Sequence, residues 1–250
     1  MKSCKVRGIE IGEGKPKICL PIVGKDDQDI LNQAISFQQF EYDLVELRID
    51  FYEDILNNNK IIMLLKELRK VIQKPILFTY RSLREGGQVQ LTDEQYIELI
   101  QIVCKNQIVD IVDIELMSGN SLVFQLVEIA HQNDIKVIMS NHDFEKTPSV
   151  KDMMDTLERM EILGGDILKI AVMPQTYKDV INLLNMTLEM SNRLLKPIVT
   201  MAMGELGVIS RITGELTGSS ITFASAGKAS APGQIGVNDM QVILGAVHHD

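Results

Sequence analysis

The chain has 250 residues, 45% of them hydrophobic, with 25 Lys and Arg against 34 Asp and Glu and a net charge of −9. That length suits a single large core, and a (β/α)8 barrel typically takes roughly 250 residues. The acidic balance, with no basic cluster longer than the helical stretch 66–70, argues against nucleic acid as a partner.

Taken in order, residues 5–15 come first, with Val-Arg-Gly-Ile-Glu-Ile-Gly-Glu-Gly over 6–14. Alternation and glycines predict a small hairpin there, covering the N-terminal mouth of a barrel. Short β-rich runs then alternate with helical patterns to the end of the chain. The strands are predicted over 17–23, 44–50, 75–81, 109–115, 136–141, 167–173, 197–203 and 220–225. The helices are predicted over 26–41, 59–72, 92–106, 121–132, 149–163, 177–194, 208–216 and 237–247. Thr92 and Gln95 have the spacing of a capping box. Strict alternation implies parallel strands with right-handed crossovers. Eight such units imply closure into a barrel, and the alternative open doubly wound sheet is weakened by the lack of an early Gly-rich dinucleotide fingerprint. No linker or low-complexity tract divides the chain, so residues 1–250 are expected to form one catalytic domain.

Cys4, Cys19 and Cys104 are odd in number and far apart, which argues against a disulfide framework or a zinc site and for a reducing cytoplasm. Residues 1–13 lack an apolar export signal, and no apolar run approaches membrane-spanning length, so a cytoplasmic protein is expected.

The most informative residue is Lys169, inside the apolar run Ile167 to Met173. Alternation puts Leu168, Ile170 and Val172 on one face and Lys169 with Ala171 on the other. A buried ammonium either pairs with a carboxylate, snorkels to the strand end, or loses its proton and becomes a nucleophile towards carbonyl carbon.

In a barrel the chemistry sits at the C-terminal strand ends, and polar residues collect there. Val45, Leu47 and Ile49 form one face of the second barrel strand, so Glu46, Arg48 and Asp50 point together into the barrel. The third strand ends in Thr79-Tyr80-Arg81, followed by Glu85-Gly86-Gly87; the fourth ends in Asp113-Ile114-Glu115. His142 closes the fifth strand, while His131 falls in a helix and His248 and His249 in a C-terminal tail. His142 is therefore the histidine placed for acid–base work, against a purely structural hydrogen-bonding role. No second histidine or cysteine at ligand spacing supports zinc, and Arg48 and Arg81 would repel magnesium from the carboxylates. No metal or organic cofactor is expected. After the seventh strand come Ser210-Arg211, and after the eighth a loop rich in small residues that offers Ser230 and Gln234. One lysine, one histidine and several arginines at one mouth suit imine chemistry on an anionic carbonyl compound.

Several segments together resemble the type I 3-dehydroquinate dehydratases. They are Glu46-Leu47-Arg48-Ile49-Asp50, Phe78-Thr79-Tyr80-Arg81-Ser82 with Glu85-Gly86-Gly87, and Ser140-Asn141-His142-Asp143-Phe144. Lys169-Ile170-Ala171-Val172-Met173-Pro174, Ser210-Arg211 and Lys228-Ala229-Ser230-Ala231-Pro232-Gly233-Gln234 complete the match, in order along the whole chain. The resemblance implies a cofactor-independent (β/α)8 homodimer that dehydrates 3-dehydroquinate to 3-dehydroshikimate in the shikimate pathway. It implies Lys169 as the Schiff-base lysine at the substrate C3 ketone, and His142 as the group that moves the C2 proton and protonates the C1 hydroxyl. Glu85 would steer the imidazole. Glu46, Arg48, Arg81, Arg211, Ser230 and Gln234 match substrate-binding positions, Arg211 as carboxylate partner. Pro21 departs from the pattern, which has a serine touching substrate. Two rival readings are a class I aldolase-type barrel, which also uses a strand lysine, and a non-catalytic metabolite-binding barrel.

Overall fold

Strands that are apolar on both faces need cover on both, and a closed parallel barrel wrapped in helices supplies it. The computed structural model describes residues 2–227 and 231–248 and has this architecture. A hairpin of β1 (Cys4–Val6) and β2 (Ile9–Ile11) comes first. Its two turn residues, Arg7 and Gly8, have φ of 38° and 81°, as a tight hairpin turn of the hand matching strand twist requires. The barrel strands are β3 (Lys17–Ile22), β4 (Leu44–Arg48), β5 (Ile76–Thr79), β6 (Ile111–Glu115), β7 (Lys136–Asp143), β8 (Ile167–Val172), β9 (Ile198–Ala202) and β10 (Ile221–Phe223).

These eight strands hydrogen-bond in the order β10-β3-β4-β5-β6-β7-β8-β9, and each of those pairs is parallel. The seam between β9 and β10 is narrow. It closes through a parallel bridge from Ile198 to Ser219, with the Ser220 N–H donating to the Ile198 carbonyl at 2.8 Å. The Thr200 N–H adds a bond to Ser219 Oγ at 3.0 Å.

The helices are α1 (Asp27–Ser36), α2 (Asn58–Val71), α3 (Asp93–Asn106), α4 (Asn120–Gln132), α5 (Val150–Ile162), α6 (Tyr177–Arg193), α7 (Gly214–Thr217) and α8 (Val237–Val247). Side chains cap most of the long ones: Asp26 on α1, Asn57 on α2 and Ser149 on α5, with full capping boxes at Thr92–Gln95 and Thr176–Asp179. Each such cap is worth about 1 kcal/mol. Outward-facing strand residues such as Leu47, Leu168 and Ile170 pack under the helices in one large core. A second core fills the barrel. There Cys4, Val6 and Ile11 of the hairpin pack against Leu44, Leu77, Ile111, Ile138 and Ile167. The hairpin is thus the floor of the barrel at its N-terminal end, as the sequence suggested.

Two expected elements differ. The helix expected over 208–216 is instead a 3-10 run, Glu205–Arg211, followed by the four-residue α7. Gly204, Gly207 and Gly214 weaken an α-helix there. Ser210 Oγ also ties the run to the end of β9, accepting from the Ala202 N–H at 2.9 Å and donating to the Gly207 carbonyl at 2.7 Å. The helix expected over 26–41 stops at Ser36, and a 3-10 turn, Phe37–Gln39, carries Phe37 into the core.

Candidate active site

Alternation along β8 decides which side chains enter the barrel. Leu168, Ile170 and Val172 join the outer core, while Ile167 and Ala171 join the inner one with Lys169 between them. Lys169 is 4% exposed. Its Nζ lies 3.8 Å from Asp113 Oδ2, beyond hydrogen-bond reach, and 4.5 Å from the centre of the Phe223 ring. Burial pushes the lysine pKa below its ordinary value, against the opposing pull of Glu46 and Asp113; Arg81 adds to the lowering.

His142 sits one strand away on β7, where it is paired in register with Ala171. Glu85 Oε2 accepts from its backbone N–H at 3.1 Å and lies 2.9 Å from Nδ1. That pattern fits the tautomer with the proton on Nδ1, which leaves Nε2 a lone pair. Burial, then Arg81, Lys169 and Arg48, hold the imidazole pKa well below the ordinary histidine value. Glu85 is carried by a 3-10 turn, Leu83–Glu85, that ends at Gly86 with φ of 84°. A Cβ at Gly86 would meet the Phe144 ring at 2.6 Å, and that ring stacks on His142. Glycine there lets the histidine and its carboxyl partner approach.

The two strand-end arginines are engaged by carboxylates. Arg48 makes a two-pronged contact with Asp50, Nε to Oδ1 at 2.8 Å and Nη2 to Oδ2 at 2.9 Å, and lies over the Phe51 ring. Asp50 itself falls in a 3-10 turn after β4 rather than in the strand. Arg81 donates to Asp113 at 2.8 Å, Glu115 at 3.0 Å and Ser140 Oγ at 2.9 Å. Burial alone would lower its pKa, but Asp113, Glu115 and Glu85 raise it instead.

Arg211 is different. It is 2% exposed, and among the described residues no carboxylate pairs with it. Nη2 donates to the Pro232 carbonyl at 3.0 Å, while Nε is buried without a hydrogen-bond partner among the described residues. Burial lowers its pKa to about 10. A buried cation in that state is poised for an anion brought from outside.

One cavity joins these groups. Glu46, Arg48, Arg81, Glu85, His142, Lys169, Arg211 and Gln234 all border it, together with apolar walls from Phe144, Met203 and Phe223. Glu46 also accepts from Thr79 Oγ1 at 2.9 Å. Ser230 lies outside the described residues, so its expected place is not assigned. Beside the cavity the Pro232 carbonyl also accepts from the Gly204 N–H at 3.3 Å, and Ser225 bridges to Gly236. Asp113 and Glu115, polar strand ends in the sequence, join the network around the site; Ser140 and Phe144, part of the His142 motif, and Phe223 also belong to it without a role that the sequence assigns. Period-two alternation with Ile111 marks Asp113 as inward-facing, and alternation with Ile221 does the same for Phe223.

Among the described residues no group of three or more His, Cys, Asp or Glu is arranged to hold a metal ion. Among them, too, no helix is long and apolar enough to cross a membrane.

Comparison with known proteins places this arrangement. A family model described as type I 3-dehydroquinase matches residues 18–250. A 3-dehydroquinate dehydratase from Listeria welshimeri serovar 6b is 45% identical over 249 residues, 99% of either chain. One from Clostridium novyi (strain NT) is 43% identical over 251 residues, 100% of this chain and 99% of the relative. Among solved structures, a type I 3-dehydroquinate dehydratase from Clostridium difficile with covalently modified comenic acid superposes with a TM-score of 0.97. It is 43% identical and covers 99% of both chains.

Proposed function

The chain belongs to the type I 3-dehydroquinase family, hydro-lyases of the shikimate pathway, and on that premise we propose that it dehydrates 3-dehydroquinate through a Schiff base on Lys169. The observation that carries the reading is that Lys169 and His142, on adjacent strands, border one cavity while burial favours the neutral form of each. The neutral amine of Lys169 attacks the C3 ketone; the carbinolamine takes up a proton from solvent on its oxygen, loses it as water and becomes the iminium. His142 takes the C2 proton at Nε2, and the electron pair of that C–H bond flows to the iminium nitrogen. The resulting enamine expels the C1 hydroxyl, to which His142 returns the proton, so one imidazole serves as base and then as acid. Water hydrolyses the product imine and frees the lysine. Arg211 binds the substrate carboxylate, and Glu46, Arg48, Arg81, Ser230 and Gln234 complete the binding set. The relative solved with covalently modified comenic acid supports a site of this kind.

One domain, cytoplasmic and homodimeric, completes the proposal. Three buried free thiols fit a reducing compartment. Tyr177, Ile181 and Leu188 on α6 are exposed, as are Leu195 beyond it and Ile209 and Leu216 on the neighbouring turn and α7. An exposed apolar strip of this kind fits contact with a second copy. Sedimentation of the wild type and of Ile181→Asp tests it, the dimer being expected to weaken in the variant. The function itself is tested by following ultraviolet absorbance of the conjugated enone as purified protein acts on 3-dehydroquinate. No absorbance change at saturating substrate overturns it.

A further inference from the structure

Three carboxylates crowd the single guanidinium of Arg81: Glu85 at 3.6 Å, Asp113 at 2.8 Å and Glu115 at 3.0 Å. None of the four side chains is more than 3% exposed. Lys169 approaches Asp113 to 3.8 Å, but in the mechanism above it is neutral when it attacks. Arg84, on the same turn as Glu85, is exposed to solvent. Three negative charges against one positive charge, away from water, are costly, and a proton on one carboxylate relieves the cost.

Hydrogen bonding shows where that proton belongs. Asp113 has a donor at each oxygen, Ser140 Oγ at 2.6 Å on Oδ1 and Arg81 on Oδ2. By contrast Glu85 Oε1 and Glu115 Oε2 are both buried with no hydrogen-bond partner among the described residues. We propose that Glu85 carries a proton, and that Glu115 is a positioning residue whose charge keeps Glu85 neutral beside His142. This rests on the reading of His142 as the base.

Glu115 also fixes Glu85 mechanically. Its Oε1 accepts from the Ser82 N–H at 2.8 Å, and the Ser82 carbonyl in turn accepts from the Glu85 N–H at 3.0 Å, which forms the turn that carries Glu85. Electrostatics point the same way: Glu85 is pushed up to about 8, by burial first and by Glu115 next, against Arg81 and Arg84. A separate pocket, lined by Tyr80, Ser82, Arg84, Tyr96 and Glu115, reaches this network from the α3–α4 side of the barrel. The groups facing the pair are Arg81 from β5's end, Asp113 from β6, His142 from β7, Arg84 on the turn, and Tyr80 and Tyr96 beside Glu115.

The test is the titration of His142 in the full-length protein by nuclear magnetic resonance, its signal assigned by comparison with His142→Ala. In Glu115→Gln the second negative charge is gone, so Glu85 ionises at lower pH and its carboxylate favours the imidazolium. The His142 midpoint should then rise by roughly one pH unit or more. Glu115→Asp, which keeps the charge, should stay near wild type. Infrared spectra of the wild type supply a measurement that needs no variant of Glu115: a protonated carboxyl at neutral pH, lost in alkali and absent in Glu85→Gln. An unmoved midpoint in Glu115→Gln, or no protonated carboxyl in the wild type, overturns the proposal. None of these measurements depends on turnover, so they stand apart from the activity assay that tests His142 as the base.

Discussion

Glu85 Oε2 accepts two contacts from one residue, His142, whose Nδ1 lies at 2.9 Å and whose backbone N–H lies at 3.1 Å. A carboxyl held this way fixes both the rotation of the ring and the nitrogen that carries its proton. It leaves Nε2 as the only basic atom of the imidazole.

Removing that base should separate imine formation from elimination. General acid–base groups contribute about 10²–10⁴-fold, and His142→Ala should lose at least that much kcat while still binding substrate. In the wild type the base must be neutral, and the histidine pKa lies well below its ordinary value. Activity should therefore persist as pH falls past the ordinary histidine range and fail only in stronger acid. Near wild-type kcat in His142→Ala removes the assignment and makes Glu46, which borders the same cavity, the next base to test.

Lys169 should be trapped by borohydride in the presence of substrate or product. Mass spectrometry of the digest should find the reduced adduct on the peptide that holds Lys169. An adduct on Lys228 instead would show that the nucleophile was misassigned.

Arg211 has no carboxylate partner among the described residues, so its binding energy is available to the substrate. Loss of a charge-assisted pair costs about 2–4 kcal/mol. Arg211→Ala should raise KM accordingly, with Arg211→Lys recovering only part. Unchanged KM and kcat in Arg211→Ala rule the role out.

Glu85 should limit stability at high pH. Its folded pKa, about 8, lies above the ordinary value of 4.5 that the unfolded chain restores. The native state thus holds more protons than the unfolded state between those values, so stability falls as pH rises through this window. Above about pH 8 the penalty is complete. Glu85→Gln should melt higher than wild type in mild alkali, converge on it in acid, and turn over more slowly. A variant no more stable than wild type at alkaline pH contradicts the burial argument.

Exhaustive dialysis against EDTA should leave turnover unchanged, since the proposed steps use only side chains. Loss of activity that a divalent ion restores would contradict this.

The barrel was legible because its signals are local and repeated: strand runs alternate with helical patterns along the chain, and a capping box at Thr92 marks where one helix begins. Lys169 stood out because a charge in an apolar strand is chemically anomalous. What the sequence hid was partnership. Nothing in the order of residues says that Arg81 serves Asp113 and Glu115 while Arg211 serves no carboxylate among the described residues, because those contacts join segments far apart in the chain. The seventh helix failed for a related reason: Ser210 bonds back to β9, and that tertiary contact outweighs local periodicity.

The hairpin floor has a consequence for traffic. With Cys4, Val6 and Ile11 stoppering one end of the barrel, the vessel is blind, and everything that enters must leave by the same door. Product and incoming substrate therefore exclude one another. 3-Dehydroshikimate should inhibit competitively, and direct transfer to a following enzyme through the barrel axis is ruled out by the plug. Any hand-over has to take place at the C-terminal rim.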